Sequence, residues 1–265
     1  MFVDIGVNLT DEQFAQDRHA VLARAREARV SQQIIIGSSM ASSHQAVALC
    51  AAEDDIFATV GIHPHDSNEY HPGLNQELIQ LAKHPKVVAC GEMGLDFFRD
   101  FSPRTKQEAA FEAQLELAVD NIKKPVYLHE RDAFARFSPM LKAARDGLKG
   151  AVVHCFTGSK QALFAYLDLD CYIGISGWVC DERRGKPLQE LIPHIPLERL
   201  LVETDAPYLI PRNLPVKPTV KHRNEPCFVP WVAKQVALLR PEPEDQVVEQ
   251  LLRNSRELFN LPAVP

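Results

Sequence analysis

The sequence predicts an α/β protein folded as a closed (β/α)8 barrel of the TIM type. Three observations support this prediction: short apolar runs recur along the whole chain, most gaps between them carry helical patterns, and polar residues stand at the ends of the runs. Alternating strands and helices build a parallel sheet, and eight such units close it into a barrel. We expect residues 1–265 to form a single domain, since barrels of roughly 200–250 residues commonly fold as one unit.

Eight runs have the length and the Val and Ile content of buried strands. They span residues 2–7, 33–37, 57–62, 87–92, 125–129, 151–155, 171–175 and 200–204. Amphipathic spacing predicts helices over 12–28 and 105–120, and near 226–239 and 244–259 after the Pro-rich loop 207–222. An open doubly wound sheet is the structural alternative, but it usually has fewer strands and a G-x-G-x-x-G first turn, which "GVNLTD" (6–11) is not.

Composition and charge limit the classes of function. Hydrophobic residues make up 46% of the chain, enough for a sizeable core, and the net charge is −6. The absence of a basic block argues against nonspecific coating of duplexes, although an acidic nuclease can still concentrate metal or positive charge at one site. The six cysteines form no C-x-x-C pair, and no apolar run reaches the ~20 residues of a membrane helix. We therefore expect a soluble, cytoplasmic protein with reduced thiols and no membrane contact. A monomer is a separate expectation.

The polar residues that follow the strands predict the active site, because a barrel enzyme builds its site at the carboxyl ends of its strands. Ends that are dozens of residues apart in sequence become neighbours around one rim. The imidazoles and carboxylates at these ends are His63, His65, Glu92, His129, His154 and Asp205.

Four of these residues have the chemistry of a metal site. Glu92, His129, His154 and Asp205 offer two imidazoles and two carboxylates, and we expect Asp205 to bind the metal or to orient the attacking water. Imidazole favours Zn²⁺, whereas carboxylate and water suit Mg²⁺ and Mn²⁺, so the residues leave the ion open. A single histidine at a strand end is more often packed or solvated; the joint pattern on four strand ends favours a metal.

Stretches in a fixed order along nearly the whole chain resemble the TatD family of metal-dependent nucleases. They include "VGIHPH" (60–65), "GEMGLDF" (91–97), "HCFTG" (154–158) and "LLVETDAPYLIPR" (200–212). The bacterial proteins after which the family is named are the most similar. The resemblance implies a metallo-dependent hydrolase barrel that cleaves DNA with Mg²⁺, or with Mn²⁺ or Zn²⁺ as substitutes.

The same resemblance implies substrates and residue roles. It implies a 3′-to-5′ exonuclease that acts mainly on single-stranded DNA, with RNA as a further substrate and a part in DNA repair. The family's metal ligands correspond to Glu92, His129, His154 and Asp205, of which Glu92 and Asp205 are the implied catalytic residues. The implied substrate contacts are His63, His65 and Arg99, while Asp96 is implied to shape the rim.

One departure from the family concerns strand one. Most members carry H-x-H at its end, which supplies two ligands to a second metal, whereas this chain has Gly6 and Asn8. Glycine cannot bind a metal, and asparagine offers only an amide oxygen. The departure predicts one firmly bound ion and, at most, a weak second one.

Side chains near the predicted rims suggest how a nucleic acid would be held. Aromatic residues there are available to stack on bases; they are Phe97, Phe98, Phe156, Trp178 and Tyr208. Arg183 and Arg184 in the loop "WVCDERRG" are candidates for contacts with the phosphate backbone. The alternative for each of these residues is ordinary packing or a solvated turn.

Two other functions fit the same barrel. Metal-dependent amide or lactone hydrolysis usually needs the missing strand-one histidines and often a bridging lysine, and no lysine lies at a predicted strand end. A non-catalytic nucleotide-binding protein is disfavoured because the acidic and imidazole residues of the predicted metal site are all present.

Overall fold

The computed structural model describes residues 1–215 and 217–263, and within these ranges eight strands alternate with nine α-helices. The strands are β1 (Phe2–Val7), β2 (Val30–Ile35), β3 (Ile56–Val60), β4 (Val87–Asp96), β5 (Val126–Arg131), β6 (Ala151–Val153), β7 (Tyr172–Ile175) and β8 (Leu200–Val202). The helices are α1 (Arg18–Glu27), α2 (Met40–Ala52), α3 (Asn75–Ala82), α4 (Arg104–Leu117), α5 (Phe134–Ala144), α6 (Lys160–Asp168), α7 (Lys186–Leu191), α8 (Val229–Leu238) and α9 (Glu244–Phe259).

The strands form one parallel sheet in chain order, and the sheet closes on itself. Each strand pairs with the next from β1 to β8. Val7, the last residue of β1, forms a bridge with Ala206, whose carbonyl accepts a hydrogen bond from the Asn8 amide at 2.8 Å. The Asp205 amide donates to the Gly6 carbonyl at 2.9 Å across the same seam. The predicted (β/α)8 barrel is therefore confirmed, and the open-sheet alternative is wrong.

The barrel interior is a packed core. One buried cluster draws on all eight strands; its strand members include Val3, Ile34, Phe57, Val88, Tyr127, Val152, Tyr172 and Leu201. Larger clusters fill the layer between the strands and the surrounding helices. Strands that are buried on both faces read as nearly continuous apolar runs, which is why they could be recognised in the sequence.

Several element boundaries differ from the sequence prediction. The helix predicted over 12–28 begins only at Arg18, because the Asp11 side chain accepts from the Gln13 amide at 2.9 Å and stabilises a separate 3-10 turn at Glu12–Phe14. β6 and β8 end at Val153 and Val202, so their polar residues lie in loops just beyond the strands. In the described ranges, every helix is too short or too polar to cross a bilayer.

Candidate metal centre

All seven residues that the sequence predicts for the site line a single cleft at the carboxyl ends of the strands. The cleft has a volume of about 650 Å³. The predicted residues that line it are His63, His65, Glu92, Arg99, His129, His154 and Asp205. They come from the ends of β3, β4, β5, β6 and β8, so closure of the barrel brings together positions up to 142 residues apart, from His63 to Asp205.

Glu92 is the centre of this arrangement. Its Oε1 lies 2.6 Å from His154 Nε2, 3.0 Å from His129 Nδ1 and 3.3 Å from His63 Nε2. The carboxylate itself is buried, with 6% of the residue exposed. Three imidazole nitrogens therefore surround one carboxylate oxygen at the base of the cleft.

The backbone of β4 explains how Glu92 and His129 come so close. The strand continues past Glu92 to Asp96 and pairs with β5, with Gly94 opposite His129. A Cβ on Gly94 would lie 1.8 Å from the His129 carbonyl oxygen, and the φ of Gly94 is +149°, a conformation that favours glycine. Glycine at this position allows β4 to approach β5 closely, and the prediction that this strand ends at residue 92 was wrong for that reason.

The charges around Glu92 are mutually stabilising. Burial alone would raise the pKa of Glu92, but His154 and His63 lower it well below its ordinary value. Burial opposes protonation of His154, yet the carboxylates of Glu92 and Glu203 raise its pKa well above the usual range. The buried carboxylate of Glu92 thus requires positive charge beside it. Protons on the imidazoles of His154 and His129, whose pKa values are raised, supply that charge here.

The same donor set fits a divalent cation. Ligand atoms of His63, Glu92 and His129 all lie within 4.8 Å of one another. One cation reaching its ligands at ~2.0–2.6 Å would span this group, and carboxylate plus imidazole is a common ligand combination. A divalent cation would replace the positive charge of the imidazolium protons.

His63 differs from the other histidines in its hydrogen bonding. Its Nδ1 accepts from the His65 amide at 3.0 Å, which places the ring proton on Nε2. Burial lowers the pKa of His63 to about 4, so the ring is neutral near pH 7. With its proton toward the cleft, His63 is suited to donate a hydrogen bond rather than to bind a metal, although it lies within the cluster.

Asp96 belongs to the site, although its predicted role was only to shape the rim. Its Oδ2 lies 2.8 Å from His65 Nε2 and 3.3 Å from His129 Nε2. Its Oδ1 accepts from the amides of Phe98 and Arg99 at 3.0 and 2.8 Å. Asp96 therefore fixes two histidine rings and the start of the following loop. Its role could not be predicted while β4 was expected to end at residue 92, because the strand continues to Asp96.

Asp205 lies in the loop after β8, in the left-handed conformation with φ of 55°. Its Oδ1 accepts from Asn8 Nδ2 at 3.0 Å. Removal from water raises the pKa of Asp205 to about 7; His154 acts against this rise, and the charges of Glu203 and Glu92 add to it. Asp205 is thus a half-buried carboxyl that can exchange a proton near neutral pH, with one oxygen already held.

The seam between β8 and β1 explains why strand one carries glycine. Glu203 is fully buried; it accepts from the Cys155 amide at 2.5 Å and from the hydroxyl of Tyr127. A Cβ on Gly6 would lie 2.2 Å from the Tyr127 hydroxyl and 2.6 Å from Glu203 Oε2. The Tyr127–Glu203 pair therefore fills the space that a first-strand histidine would need. This pairing was not predicted, because Tyr127 and Glu203 are 76 positions apart in the sequence.

The aromatic residues predicted for base stacking fall into two groups. Phe156 is 3% exposed and packs in the core, so its prediction as a stacking residue was wrong. Phe97 is half-buried beneath the Arg104 guanidinium at 4.4 Å. Phe98 and Tyr208 are 54% and 52% exposed, and Trp178 is half-buried at the cleft wall. Stacking surfaces are thus present on the rim at β4 and at β7–β8.

Comparison with known proteins gives consistent results across the chain. Residues 3–260 match the family model described as TatD related DNase. The chain is 51% identical over 260 residues to a protein of Edwardsiella piscicida named 3′-5′ ssDNA/RNA exonuclease TatD, covering 98% of this chain and 99% of the relative. A protein of the same name from Salmonella typhimurium is 48% identical over 258 residues, covering 97% and 98%.

Solved structures show the same architecture. A TatD homologue from Escherichia coli matches with a TM-score of 0.90 at 31% identity, covering 98% of both chains. A hydrolase of the TatD family from Entamoeba histolytica matches with a TM-score of 0.89 at 26% identity, covering 97% of both chains. Both matches therefore extend over nearly the whole chain.

Proposed function

Because the chain belongs to the TatD related DNase family, we propose that it is a metal-dependent 3′-to-5′ exonuclease acting on single-stranded DNA and on RNA. The names of the relatives support the substrate and the direction. The observation that carries the proposal is the meeting of three imidazoles on Glu92 at the base of an open cleft. At about 650 Å³, the cleft is within the range of ~300–1,000 Å³ typical of ligand sites.

Glu92, His129 and His154 would hold the cation, with Asp205 at the edge of the same site. His154 takes the place of His63, the third member of the compact group of ligand atoms, because His154 Nε2 lies only 2.6 Å from Glu92 Oε1 and the His63 proton points toward the cleft. We propose Mg²⁺, with Mn²⁺ or Zn²⁺ as substitutes, since carboxylates suit Mg²⁺ and imidazoles suit Zn²⁺. When bound, the ion supplies positive charge to the phosphate and makes water more acidic.

Asp205 is proposed to be the base that takes the proton of the attacking water. Asn8 holds its Oδ1 at 3.0 Å, which leaves Oδ2 for the water. As the water oxygen bonds to phosphorus, the P–O bond to the leaving 3′ oxygen breaks, one water proton passes to Asp205, and the leaving oxygen takes a proton from solvent to become a hydroxyl. Burial raises the pKa of Asp205 to about 7 in the metal-free protein, and a bound cation would lower it, so the carboxylate is ionised and able to accept a proton near neutral pH.

His63 is proposed to stabilise the phosphate as negative charge develops. Its Nε2 carries the proton and lies 3.3 Å from Glu92, so a phosphate oxygen beside the carboxylate would come within its reach. His65 uses its Nε2 on Asp96 at 2.8 Å, and its own contact with phosphate stays a prediction. Arg99, exposed at the rim, would contact a phosphate from solvent.

Hydrolysis of amides or lactones gains no support from the cleft. The lining residues contain no lysine in the part of the chain that the structure describes, and the strand-one positions are Gly6 and Asn8. A cytoplasmic location, a monomeric state and a part in DNA repair stay predictions.

Single-stranded DNA with a 5′ label tests the proposed function. With Mg²⁺ or Mn²⁺ we expect a ladder of products shortened from the 3′ end, and with EDTA we expect none. RNA of the same sequence should give a similar ladder, while covalently closed single-stranded circles should resist. Cleavage of the circles would show an endonuclease. Hydrolysis that persists in EDTA would contradict the requirement for a metal. Failure to hydrolyse any of these substrates would contradict the proposed function as a whole.

A further inference from the structure

A pair of arginines lies beside the metal cleft, held by one buried carboxylate. Asp181 in the loop after β7 accepts from the Arg184 and Arg183 amides at 3.0 and 2.9 Å. Its Oδ2 lies 3.3 Å from Arg184 Nε and 3.1 Å from Arg212 Nε. These amides, first that of Arg184, lower the pKa of Asp181 to about 2, so the carboxylate is charged.

The two guanidiniums are held by their Nε edges, and their outer edges remain available. The side chains of Arg184 and Arg212 are 62% and 43% exposed, whereas that of Asp181 is only 6% exposed. Within residues 1–215 and 217–263, the Nη atoms of both arginines make no hydrogen bond. One carboxylate against two guanidiniums leaves a net charge of +1, and guanidinium edges are suited to bidentate contact with a phosphodiester.

An aromatic surface lies against this pair. The Arg184 guanidinium lies 5.0 Å from the centre of the Trp178 ring, within the range of a cation–π contact. Tyr208 is 52% exposed, and its hydroxyl donates to Asp11 Oδ2 at 2.9 Å. Arginine and aromatic faces together form the kind of surface on which single-stranded nucleic acids stack their bases.

Two loops build this surface and hold it in place. A Cβ on Gly177 would lie 2.0 Å from the Leu209 carbonyl oxygen, so glycine allows the loop after β7 to pack directly on the loop after β8. Asn224 Nδ2 donates to the carbonyls of Thr204 and Tyr208 at 2.9 and 2.6 Å. The two loops that carry the guanidiniums and the aromatic faces are therefore packed against each other before any ligand binds.

The arginine pair lines a second cleft that joins the first. This cleft, of about 370 Å³, is lined by Asp181, Arg184 and Arg212 together with His222. It shares Trp178, Tyr208 and Leu209 with the cleft of the metal centre. A chain extending from the metal centre over these shared residues would pass directly beside the arginines.

We propose that Arg184 and Arg212, held by Asp181, bind an internal phosphodiester of the substrate strand while a base stacks on Trp178 and Tyr208. This inference rests on the proposed function. An enzyme that removes the 3′-terminal nucleotide must hold the rest of the strand on its 5′ side, and this second cleft is the surface assigned to it. The pair would therefore set the preference for longer strands and leave the chemical step to the metal centre.

Variants of both arginines test the assignment. In Arg184→Gln/Arg212→Gln, each amide keeps a donor for Asp181 and the charge is removed; circular dichroism and thermal unfolding verify the fold. Steady-state kinetics would compare a 12-nucleotide single strand with a dinucleotide, which has a single phosphodiester. For the longer strand we expect KM to rise about tenfold, which corresponds to about 1.4 kcal/mol, with kcat little changed, because the charged contact with the phosphate is lost. The dinucleotide should show a much smaller rise.

Salt dependence and a matched control make the result specific. The slope of log KM against log salt concentration for the longer strand should fall by about 0.7, the value for one phosphate on a single strand. Arg253→Ala, which removes an arginine 61% exposed on α9 and paired with Glu249, should change neither KM nor the slope. An equal loss for both substrates, or no change for the longer strand, would overturn the inference.

Failure of the proposed function can be distinguished from failure of the inference about the arginine pair. If the unaltered protein hydrolysed neither substrate, the exonuclease proposal would fail, and binding of the labelled 12-nucleotide strand in EDTA would still test the arginine pair. Fluorescence anisotropy should then show about tenfold weaker binding by the double variant than by the unaltered protein. Equal affinity of the two would overturn the inference.

Discussion

The two halves of the barrel rim differ in how their polar side chains are satisfied. At the ends of β4, β5 and β6, imidazoles converge on a single carboxylate oxygen of Glu92, which requires positive charge beside it. At the seam of β8 and β1, the buried polar groups are paired with one another, as Tyr127 is with Glu203 and Thr204 with Asp4. The first half is arranged to take a cation, whereas in the second half the buried carboxyls of Glu203 and Asp4 already have partners.

This difference explains the departure of strand one from the family pattern. Replacement of the H-x-H histidines by Gly6 and Asn8 does not leave an empty second metal site. The Tyr127 hydroxyl and Glu203 occupy the space beside Gly6, and Asn8 holds Asp205 at 3.0 Å. Restoring histidine at position 6 would therefore collide with the pair, so that substitution alone is a poor way to build a second site.

The largest expected effect comes from removing the centre of the first half. Glu92→Ala or His154→Ala should leave a folded protein that has lost hydrolysis by about 10³-fold, because metal-ion charge stabilisation is several kcal/mol and ~1.4 kcal/mol is tenfold in rate. Rates of hydrolysis of single-stranded DNA measure the loss of activity, and elemental analysis measures the loss of bound metal. His19→Ala, at a side chain 97% exposed, is the control. A variant with near-normal turnover and metal content would remove that residue from the site.

The next effect concerns the proposed base at the border between the two halves. Asp205→Asn should keep the ion and lower kcat by about 10²-fold, a typical contribution of general base catalysis. If Asp205 is the base, the activity of the unaltered protein should rise with pH as the carboxyl loses its proton, at a pH below 7, because a bound cation lowers the pKa of about 7 that burial gives Asp205 in the metal-free protein. Asp205→Asn should lack that rise. A variant that keeps normal kcat, or the same pH profile, would assign the base elsewhere.

A smaller effect tests the packing of the second half. Gly6→Ala should destabilise the protein by about 1–3 kcal/mol, since its Cβ would meet the Tyr127 hydroxyl at 2.2 Å. In a Tyr127→Phe background the hydroxyl is gone, and the cost of Gly6→Ala should be lower. Denaturant unfolding of the four proteins in this cycle measures the coupling, with the exposed Gly73→Ala as control. Additive effects would mean that the pair does not fill this space.

A pH dependence of stability is expected from Asp4, which belongs to the same half of the rim. This buried residue of β1 accepts from the Thr204 amide at 2.9 Å and from its hydroxyl at 2.5 Å. Burial raises the pKa of Asp4 to about 8, so the folded protein binds one proton more than the unfolded chain between pH 4 and 8. Stability of the metal-free protein should therefore fall with rising pH in this window, by about 1.4 kcal/mol per pH unit for one such group.

Asp4→Asn provides the comparison for that slope. Asparagine resembles the protonated acid, because its amide can donate to the Thr204 hydroxyl and its oxygen can still accept from the backbone. The variant should show a shallower fall of unfolding free energy with pH, whereas Asp54→Asn, at a side chain fully exposed to solvent, should not. An unchanged slope in Asp4→Asn would show that Asp4 is ionised in the folded protein.

The sequence predicted the barrel and its rim because both depend on local patterns. Apolar runs mark the strands, and a residue such as His129 or His154 is assigned to the rim by its position after a run. Pairings across the barrel could not be predicted in this way. Tyr127 reads as an ordinary strand residue, yet it meets Glu203 76 positions away. Likewise, nothing near Arg212 in the sequence indicates that it approaches Asp181.

Phe156 shows that a position just after a strand does not by itself predict an exposed side chain. It follows a strand end, where exposure is expected, but it is 3% exposed because it packs within the layer of helices around the barrel. Position along the chain predicts which end of the barrel a loop occupies. It does not predict which side of that loop faces the cleft, since this depends on packing against other elements.

The stoichiometry of metal binding tests the contrast between the two halves most directly. Metal-stripped protein would be titrated with Mn²⁺ by calorimetry in the absence of substrate, and the ion content confirmed by elemental analysis. We predict one tightly bound ion per chain, lost in Glu92→Ala and retained in Tyr127→Phe. Two tight ions per chain in the unaltered protein would contradict the account, because the β8–β1 half would then bind a metal despite its paired side chains.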